Sequence, residues 1–329
     1  MDAGSAEDRL IARYFKPLAR HPGTFGFSDD AAAITPPAGH DLVPKTDGLI
    51  EGVHFFSDDP ADAVARKALR VNLSDLAAKG AAPLGFLLAI ALPKGFSEQW
   101  LAAFARGLGE DADGYGCPLL GGDTDSTPGP ISISIAAFGT LPTGTMVRRA
   151  GAKAGDHVLV TGTIGDAALG LRVRKSEGSA WQLSAAMREH LVSRLQLPQP
   201  RNALAEAVRT HASAAMDISD GLMADAAKLC RASDVSIVIE AERVPLSAAA
   251  RQAVDADAAA IQSILTGGED YEILCTVPDG KLADFVRAAA AASVSLTEIG
   301  RVVPGPAVPH IRDRAGLELT FARPGYSHF

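Results

Sequence analysis

The segment Gly121-Gly122-Asp123-Thr124-Asp125-Ser126-Thr127-Pro128-Gly129-Pro130-Ile131-Ser132-Ile133-Ser134-Ile135 decides the fold class of this chain. Ile131, Ile133 and Ile135 alternate with Ser132 and Ser134, which predicts a strand with one buried face over 131–139. The Gly, Asp, Ser and Pro residues of 122–130 predict a turn-rich loop leading into it. Upstream, the short apolar run from Phe86 to Leu92 predicts another strand, and Leu42-Val43 marks one more. Helical spacing fills 5–20, 62–80 and 97–115, the last entered through Ser97 as an N-cap.

The same alternation continues downstream. His157-Val158-Leu159-Val160-Thr161 predicts a strand that passes through Gly162-Thr163-Ile164-Gly165 into a helix. Helices at 181–195, 200–211, 220–232 and 279–291 alternate with strands at 235–240, 272–277 and 296–303. The stretch 139–156, with Pro142, Gly144, Gly151 and Gly155, predicts a domain junction. A length of 329 residues suits two domains of roughly 150 residues each. The expectation is an α/β (α+β) architecture in two domains, 1–145 and 146–329, without a solenoid repeat.

A formal charge of −8 argues against a general nucleic-acid binder, which would carry a basic face. The acidic start, Met1-Asp2-Ala3-Gly4-Ser5-Ala6-Glu7-Asp8, is unlike a secretory signal. The longest apolar run falls far short of the ~20 residues a membrane span needs. Cys117, Cys230 and Cys275 are scattered, which indicates neither a disulfide framework nor a zinc site. A cytoplasmic protein without nucleic-acid or membrane partners is expected.

Aspartates recur in short clusters among small residues: Ser28-Asp29-Asp30, Thr46-Asp47-Gly48, Asn72-Leu73-Ser74-Asp75, Gly122-Asp123-Thr124 and Asp217-Ile218-Ser219-Asp220-Gly221. Two like charges ~4 Å apart repel by roughly 4 kcal/mol at an effective dielectric of 20. A pocket gathering them needs protons or cations, which points to magnesium and phosphate. No P-loop and no protein-kinase signature is present. Phosphoryl transfer would then rest on metal ions and positioning, which suffice for it.

Each cluster also has a plain reading. Asp29 and Asp30 suit a solvated turn or an N-cap. Thr46-Asp47 reads as a turn after the strand Leu42-Val43, where a hydroxyl and a carboxylate offer two hard oxygens. Asp75 lies in a helix four residues before Lys79, which suits a surface ion pair. Gly121-Gly122 before Asp123 suits close approach of the backbone to a phosphate. Asp217 and Asp220 flank Ser219 ahead of a helix from Leu222, whose N-terminus favours an anion; capping explains one of the two. Arg148 and Arg149 at the junction could pair with phosphates, His54 suits packing, and Gly267-Gly268-Glu269-Asp270-Tyr271-Glu272 is a second acidic glycine loop.

The order of these motifs resembles the thiamine-monophosphate kinase family, in the PurM-like superfamily that includes aminoimidazole ribonucleotide and selenophosphate synthetases. The most specific segments are Thr46-Asp47 through Glu51-Gly52-Val53-His54-Phe55, Val71 to Ala78, Gly121-Gly122-Asp123-Thr124, Asp217 to Leu222 and Gly267 to Glu272. The resemblance extends to the terminal Gly325-Tyr326-Ser327-His328-Phe329. It implies ATP-dependent phosphorylation of thiamine phosphate to thiamine diphosphate, by direct transfer with several Mg²⁺ ions. It further implies a homodimer whose N-terminal sheets join across the two-fold, with a C-terminal domain covering the nucleotide.

Carried over by position, the resemblance makes Asp30, Thr46, Asp47, Asp75, Asp123, Asp217 and Asp220 metal ligands. Gly122, Asp123, Arg149 and Ser219 would meet ATP; His54, Glu269 and Tyr326 would line the thiamine phosphate site. Two positions depart from the family pattern. Ser28 replaces a frequent Gly, and Lys45 stands where a Ser or Thr often contributes a metal oxygen. An ammonium has no lone pair to offer Mg²⁺. Selenophosphate synthetases carry a reactive Cys or selenocysteine in the N-terminal segment, whereas the first Cys here is Cys117. A non-catalytic metal- and nucleotide-binding protein is the other alternative.

Overall fold

The computed structural model describes residues 5–321 together with Arg323, Gly325 and Tyr326. Ser327, His328 and Phe329 of the C-terminal motif lie outside the described residues. The chain divides into two compact units, Met1–Leu76 with Ala81–Gly144 and Ala77–Gly80 with Thr145–Phe329.

The first unit contains α1 (Ala6–Leu10), β1 (His40–Ile50), α2 (Ala61–Ala78, whose last two residues belong to the second unit), β2 (Ala82–Pro93), α3 (Glu98–Gly114), β3 (Leu119–Thr127) and β4 (Ser132–Pro142). Its sheet has the order β1-β4-β2-β3. Both pairings of β4 are antiparallel, while β2 and β3 run parallel. A parallel neighbour requires a crossover, and α3 supplies it, capped by the Ser97 hydroxyl accepting from the Trp100 N–H. Leu69, Leu73 and Leu76 of α2 and Leu101, Phe104 and Leu108 of α3 form one core with Phe86, Ile90, Ile133 and Ile135 of the sheet.

Two sequence-based expectations change here. The predicted loop over 122–130 is strand β3 as far as Thr127. It occupies a sheet edge, so its polar residues face solvent and no apolar alternation betrays it. Thr46-Asp47-Gly48 is likewise no turn: β1 continues through it, with Asp47 opposite Ile135. Pro44 lies within this strand, which an edge position tolerates.

The second unit contains β5 (His157–Thr161), α4 (Asp166–Arg174), α5 (Ala185–Gln196), α6 (Ala205–His211), β6 (Ala214–Asp217), α7 (Leu222–Ser233), β7 (Ser236–Glu240), α8 (Ala248–Ala256), α9 (Ala260–Thr266), β8 (Ile273–Val277), α10 (Asp279–Ala291), β9 (Leu296–Val303) and β10 (Pro309–Arg312). Its sheet has the order β10-β7-β9-β5-β8-β6, with only β10 and β7 parallel. Every residue of β5 and β8 is buried, because helices cover both faces. Val158, Val160 and Leu274 pack with Leu169, Leu222 and Ile264. Leu159, Ile273 and Cys275 on the other face pack with Val208 and Phe285.

Candidate active site

In the first unit, strand alternation sorts the candidate ligands. Val43 and Leu49 of β1 are buried, while Leu42 and Ile50 are exposed on the opposite face. With a side-chain period of two, Lys45 and Asp47 share the Val43 face and Thr46 points the other way. The Thr46 hydroxyl and Asp47 carboxylate therefore do not converge on one point, contrary to the paired-oxygen reading of the sequence. Asp47 instead meets Lys45, whose Nζ lies 3.3 Å from Asp47 Oδ1 and 2.8 Å from Asp75 Oδ2. Asp75 thus does not use Lys79 as its partner; the Lys79 ammonium donates to the Ala215 carbonyl at 2.6 Å.

Asp29, Asp30 and Asp123 line a different part of this unit, a cleft of about 1030 Å³ that Gly121, Gly122 and Thr124 also border. Asp29 Oδ1 accepts the Asp30 N–H, and Asp123 Oδ1 accepts the Thr124 N–H. Ser28 has φ −99°, so no glycine is required there. Gly122 has a structural reason of its own. A Cβ at this position would sit 1.8 Å from the Leu88 carbonyl oxygen, where β3 closes on β2. His54 accepts the Ile50 N–H on Nδ1 at 3.0 Å, and the buried Lys67 holds its carbonyl at 2.8 Å.

The second unit brings its candidates together through the backbone. Asp217 ends β6, and Ser219-Asp220 form the loop before α7. The Glu269 N–H donates to the Ser219 carbonyl at 2.9 Å, and the Tyr271 N–H to that of Ile218 at 2.8 Å. A Cβ on Gly268 would lie 2.2 Å from the Ser219 oxygen, so only glycine permits this approach. The Tyr326 N–H donates to the Asp220 carbonyl at 3.0 Å, which leaves the exposed ring beside the same loop. Ser219, Asp220, Glu269 and Tyr326 are therefore neighbours despite their distance in sequence. The Arg149 carbonyl accepts the Ser233 hydroxyl at the far end of α7.

Sequence reasoning missed the residue that shapes this loop. Asp225, fully buried in the first turn of α7, accepts the N–H groups of both Ser219 and Asp220 at 2.9 Å. The anion that the helix start favours is thus the chain's own carboxylate. Lys228 Nζ lies 2.7 Å from Asp225 Oδ1 and also pairs with Asp220. Burial raises the Asp225 pKa against the opposing pull of Lys228 and the backbone donor. Burial works against the charge of Lys228, yet its bonds to Asp220 and Asp225 leave its pKa raised, so it holds its proton firmly. The spacing Asp225-x-x-Lys228 is the one local signal for the pair.

Beneath the Glu269 loop lies a second charged group. Glu272 is fully buried and accepts from Thr161 Oγ1 at 2.7 Å, Arg194 Nη2 at 2.9 Å and Arg201 Nε at 2.7 Å. Its neighbour Asp270 accepts the Gly165 N–H at 2.9 Å. The three cysteines are buried; burial pushes the Cys117 thiol up to about 12 and the Cys230 thiol up to about 11, so neither is poised as a nucleophile.

The donor chemistry suits a hard cation only in part. Among the described residues, no group of three or more His, Cys, Asp or Glu side chains is placed to hold a metal ion. Asp47 and Asp75 share an ammonium, and Asp220 pairs with another. Among the described residues of either unit, then, the acidic, His and Cys side chains do not by themselves assemble a complete metal site.

Comparison with known proteins defines the class. The chain matches the family model of the AIR synthase related protein, N-terminal domain, over residues 28–141 and that of the C-terminal domain over 153–311. This is the two-domain α/β architecture that the motif order implied. Within that class, the thiamine-monophosphate kinase of Caulobacter vibrioides is 42% identical over 322 residues, covering 97% of this chain and 89% of the relative. The crystal structure of thiamine-monophosphate kinase from Stenotrophomonas maltophilia superposes with a TM-score of 0.82 at 37% identity, covering 94% of this chain and 96% of that one. A structure of AaThiL complexed with AMPPCP and TMP gives 0.78 at 32% identity, covering 92% and 91%. The chain belongs to the thiamine-monophosphate kinase family.

Proposed function

We propose that this chain transfers a phosphoryl group from ATP to thiamine phosphate, yielding ADP and thiamine diphosphate, in thiamine diphosphate biosynthesis. The observation that carries the reading is the backbone union of Ser219-Asp220 with Glu269 and Tyr326. The first pair is expected at the nucleotide and the second at the acceptor. In-line transfer needs donor and acceptor atoms held about 3–3.5 Å apart, so their sites must adjoin. The AaThiL relative that holds AMPPCP and TMP supports the same pairing of ligands.

In this reading the 1–145 domain contributes Asp30, Asp47, Asp75, Gly122, Asp123 and His54. The 146–329 domain contributes Arg149, Asp217, Ser219, Asp220, Glu269 and Tyr326. Mg²⁺ accompanies ATP and would supply charge neutralisation when bound. Asp225 fixes the loop, and the Tyr326 ring offers a stacking surface for a heteroaromatic acceptor. The proposal includes a homodimer whose N-terminal sheets join across the two-fold. It places the enzyme in the cytoplasm, where ATP is available; no described helix is long and apolar enough to cross a membrane.

The test is ADP release and thiamine diphosphate formation by the purified chain with ATP, comparing thiamine phosphate, thiamine and other phosphorylated metabolites. Product from thiamine phosphate alone is expected. Turnover of another phosphorylated metabolite in its place would overturn the substrate assignment. Light scattering checks the dimer.

A further inference from the structure

Lys45 and Asp47 are two residues apart on one face of β1, and Asp75 approaches that face from α2. The Lys45 ammonium lies 2.8 Å from Asp75 Oδ2 and 3.3 Å from Asp47 Oδ1, within contact of both carboxylates. The Asp75 side chain is only 15% exposed, so water screens this contact incompletely. Two carboxylates converging on one cation is the arrangement that a divalent ion would otherwise complete. Lysine completes it from within the chain, using a flexible four-carbon stem and three donors.

We propose that the Lys45 ammonium is a built-in cation that takes the place of one divalent ion between Asp47 and Asp75. The chain then binds one metal ion fewer than a variant with a hydroxyl at position 45. The inference rests on the proposed role of these carboxylates as metal ligands. It has a second consequence for the metal-free protein. Asp47 and Asp75 are already offset by Lys45, so removing divalent ions leaves no new repulsion at this pair. Position 45 would thus set how strongly this corner of the fold depends on divalent cation.

The test counts Mn²⁺ bound per full-length chain by electron paramagnetic resonance, alongside thermal unfolding in chelator. Lys45→Ser is expected to bind one more Mn²⁺ than wild type, to unfold earlier in chelator, and to regain more than wild type when Mn²⁺ is added. Lys45→Arg, which keeps the cation, should retain the wild-type count. Lys45→Gln, with an uncharged carbonyl oxygen, should also gain the ion and serves if the Ser variant does not fold. An equal Mn²⁺ count in wild type and the uncharged variants overturns the inference, as it would mean that Lys45 moves aside when metal binds. So does an added site in Lys45→Arg. ADP release by wild type is measured separately. A wild type inactive on thiamine phosphate would overturn the kinase reading without altering the Mn²⁺ comparison.

Discussion

Asp225 Oδ1 lies 2.7 Å from Lys228 Nζ, one turn along the same helix, while its other oxygen holds the Ser219 and Asp220 N–H groups. A buried carboxylate with these donors is satisfied and fixes the entry to α7. Lys228 also pairs with Asp220, so one ammonium restrains both the support and a candidate site carboxylate. Loop shape and site electrostatics are therefore coupled through a residue that need not touch substrate.

Asp225→Asn keeps one oxygen but places an NH₂ group where the chain supplies donors. Leaving a buried hydrogen-bonding group unsatisfied costs about 1–3 kcal/mol. The expected outcome is a folded protein with a lowered unfolding midpoint and a turnover reduced more than KM changes. Thermal unfolding and steady-state kinetics read the two effects. Unchanged kcat with lowered stability would confine Asp225 to a structural role.

Asp217 is nearly fully buried at the end of β6, two residues before Ser219 in the chain. Asp217→Asn preserves volume and removes charge. If the carboxylate holds a cation that stabilises the transition state by about 2.7 kcal/mol, turnover falls roughly 100-fold, since 1.36 kcal/mol is tenfold. Circular dichroism should show the fold retained. Near-normal ADP release would remove Asp217 from the essential set.

Most helices and the central strands were legible because burial imposes a period, whereas the short helices α8 and α9 went unpredicted. Asp279–Ala291 and Leu296–Val303 coincide with the spans predicted at 279–291 and 296–303. Edge strands were not, since β1 and β3 pair on one side only and carry Pro, Gly and polar residues there. The Asp75 partner was misread for a related reason. Spacing within a helix suggests Lys79, whereas the sheet delivers Lys45 from a strand that sequence alone showed only at Leu42-Val43. The site motifs were visible as residue types, but their union depends on backbone bonds such as Glu269 to Ser219, which leave no local trace. Glu272 with Arg194 and Arg201 is equally silent, being assembled from three separate segments.

Tyr326 is held by its backbone to Asp220 while the residue remains 53% exposed. An exposed ring anchored at a site loop offers a face to a planar ligand. Aromatic pairing is worth about 0.5–1.5 kcal/mol beyond area burial, so Tyr326→Ala should raise KM for thiamine phosphate roughly 3- to 10-fold. The KM for ATP and the unfolding midpoint should scarcely move. A KM for thiamine phosphate equal to wild type would take the ring out of the acceptor site.

Asp270 gives the second unit a pH dependence with a definite sign. It is 2% exposed, and burial raises its pKa well above the usual carboxylate value. The Gly165 N–H opposes that shift, the nearby Asp166 adds to it, Arg194 opposes it and Glu272 adds to it. The folded chain therefore binds this proton more tightly than the unfolded chain, whose Asp titrates near ~3.9. Asp270 contributes its full stability below that value and loses it as pH rises through the raised folded value. Asp270→Asn mimics the neutral carboxyl and removes the titration. In urea unfolding at a series of pH values from acid to neutral, wild type should lose stability relative to Asp270→Asn as pH increases. A stability difference that stays constant across the series would mean that Asp270 titrates alike in the folded and unfolded chain.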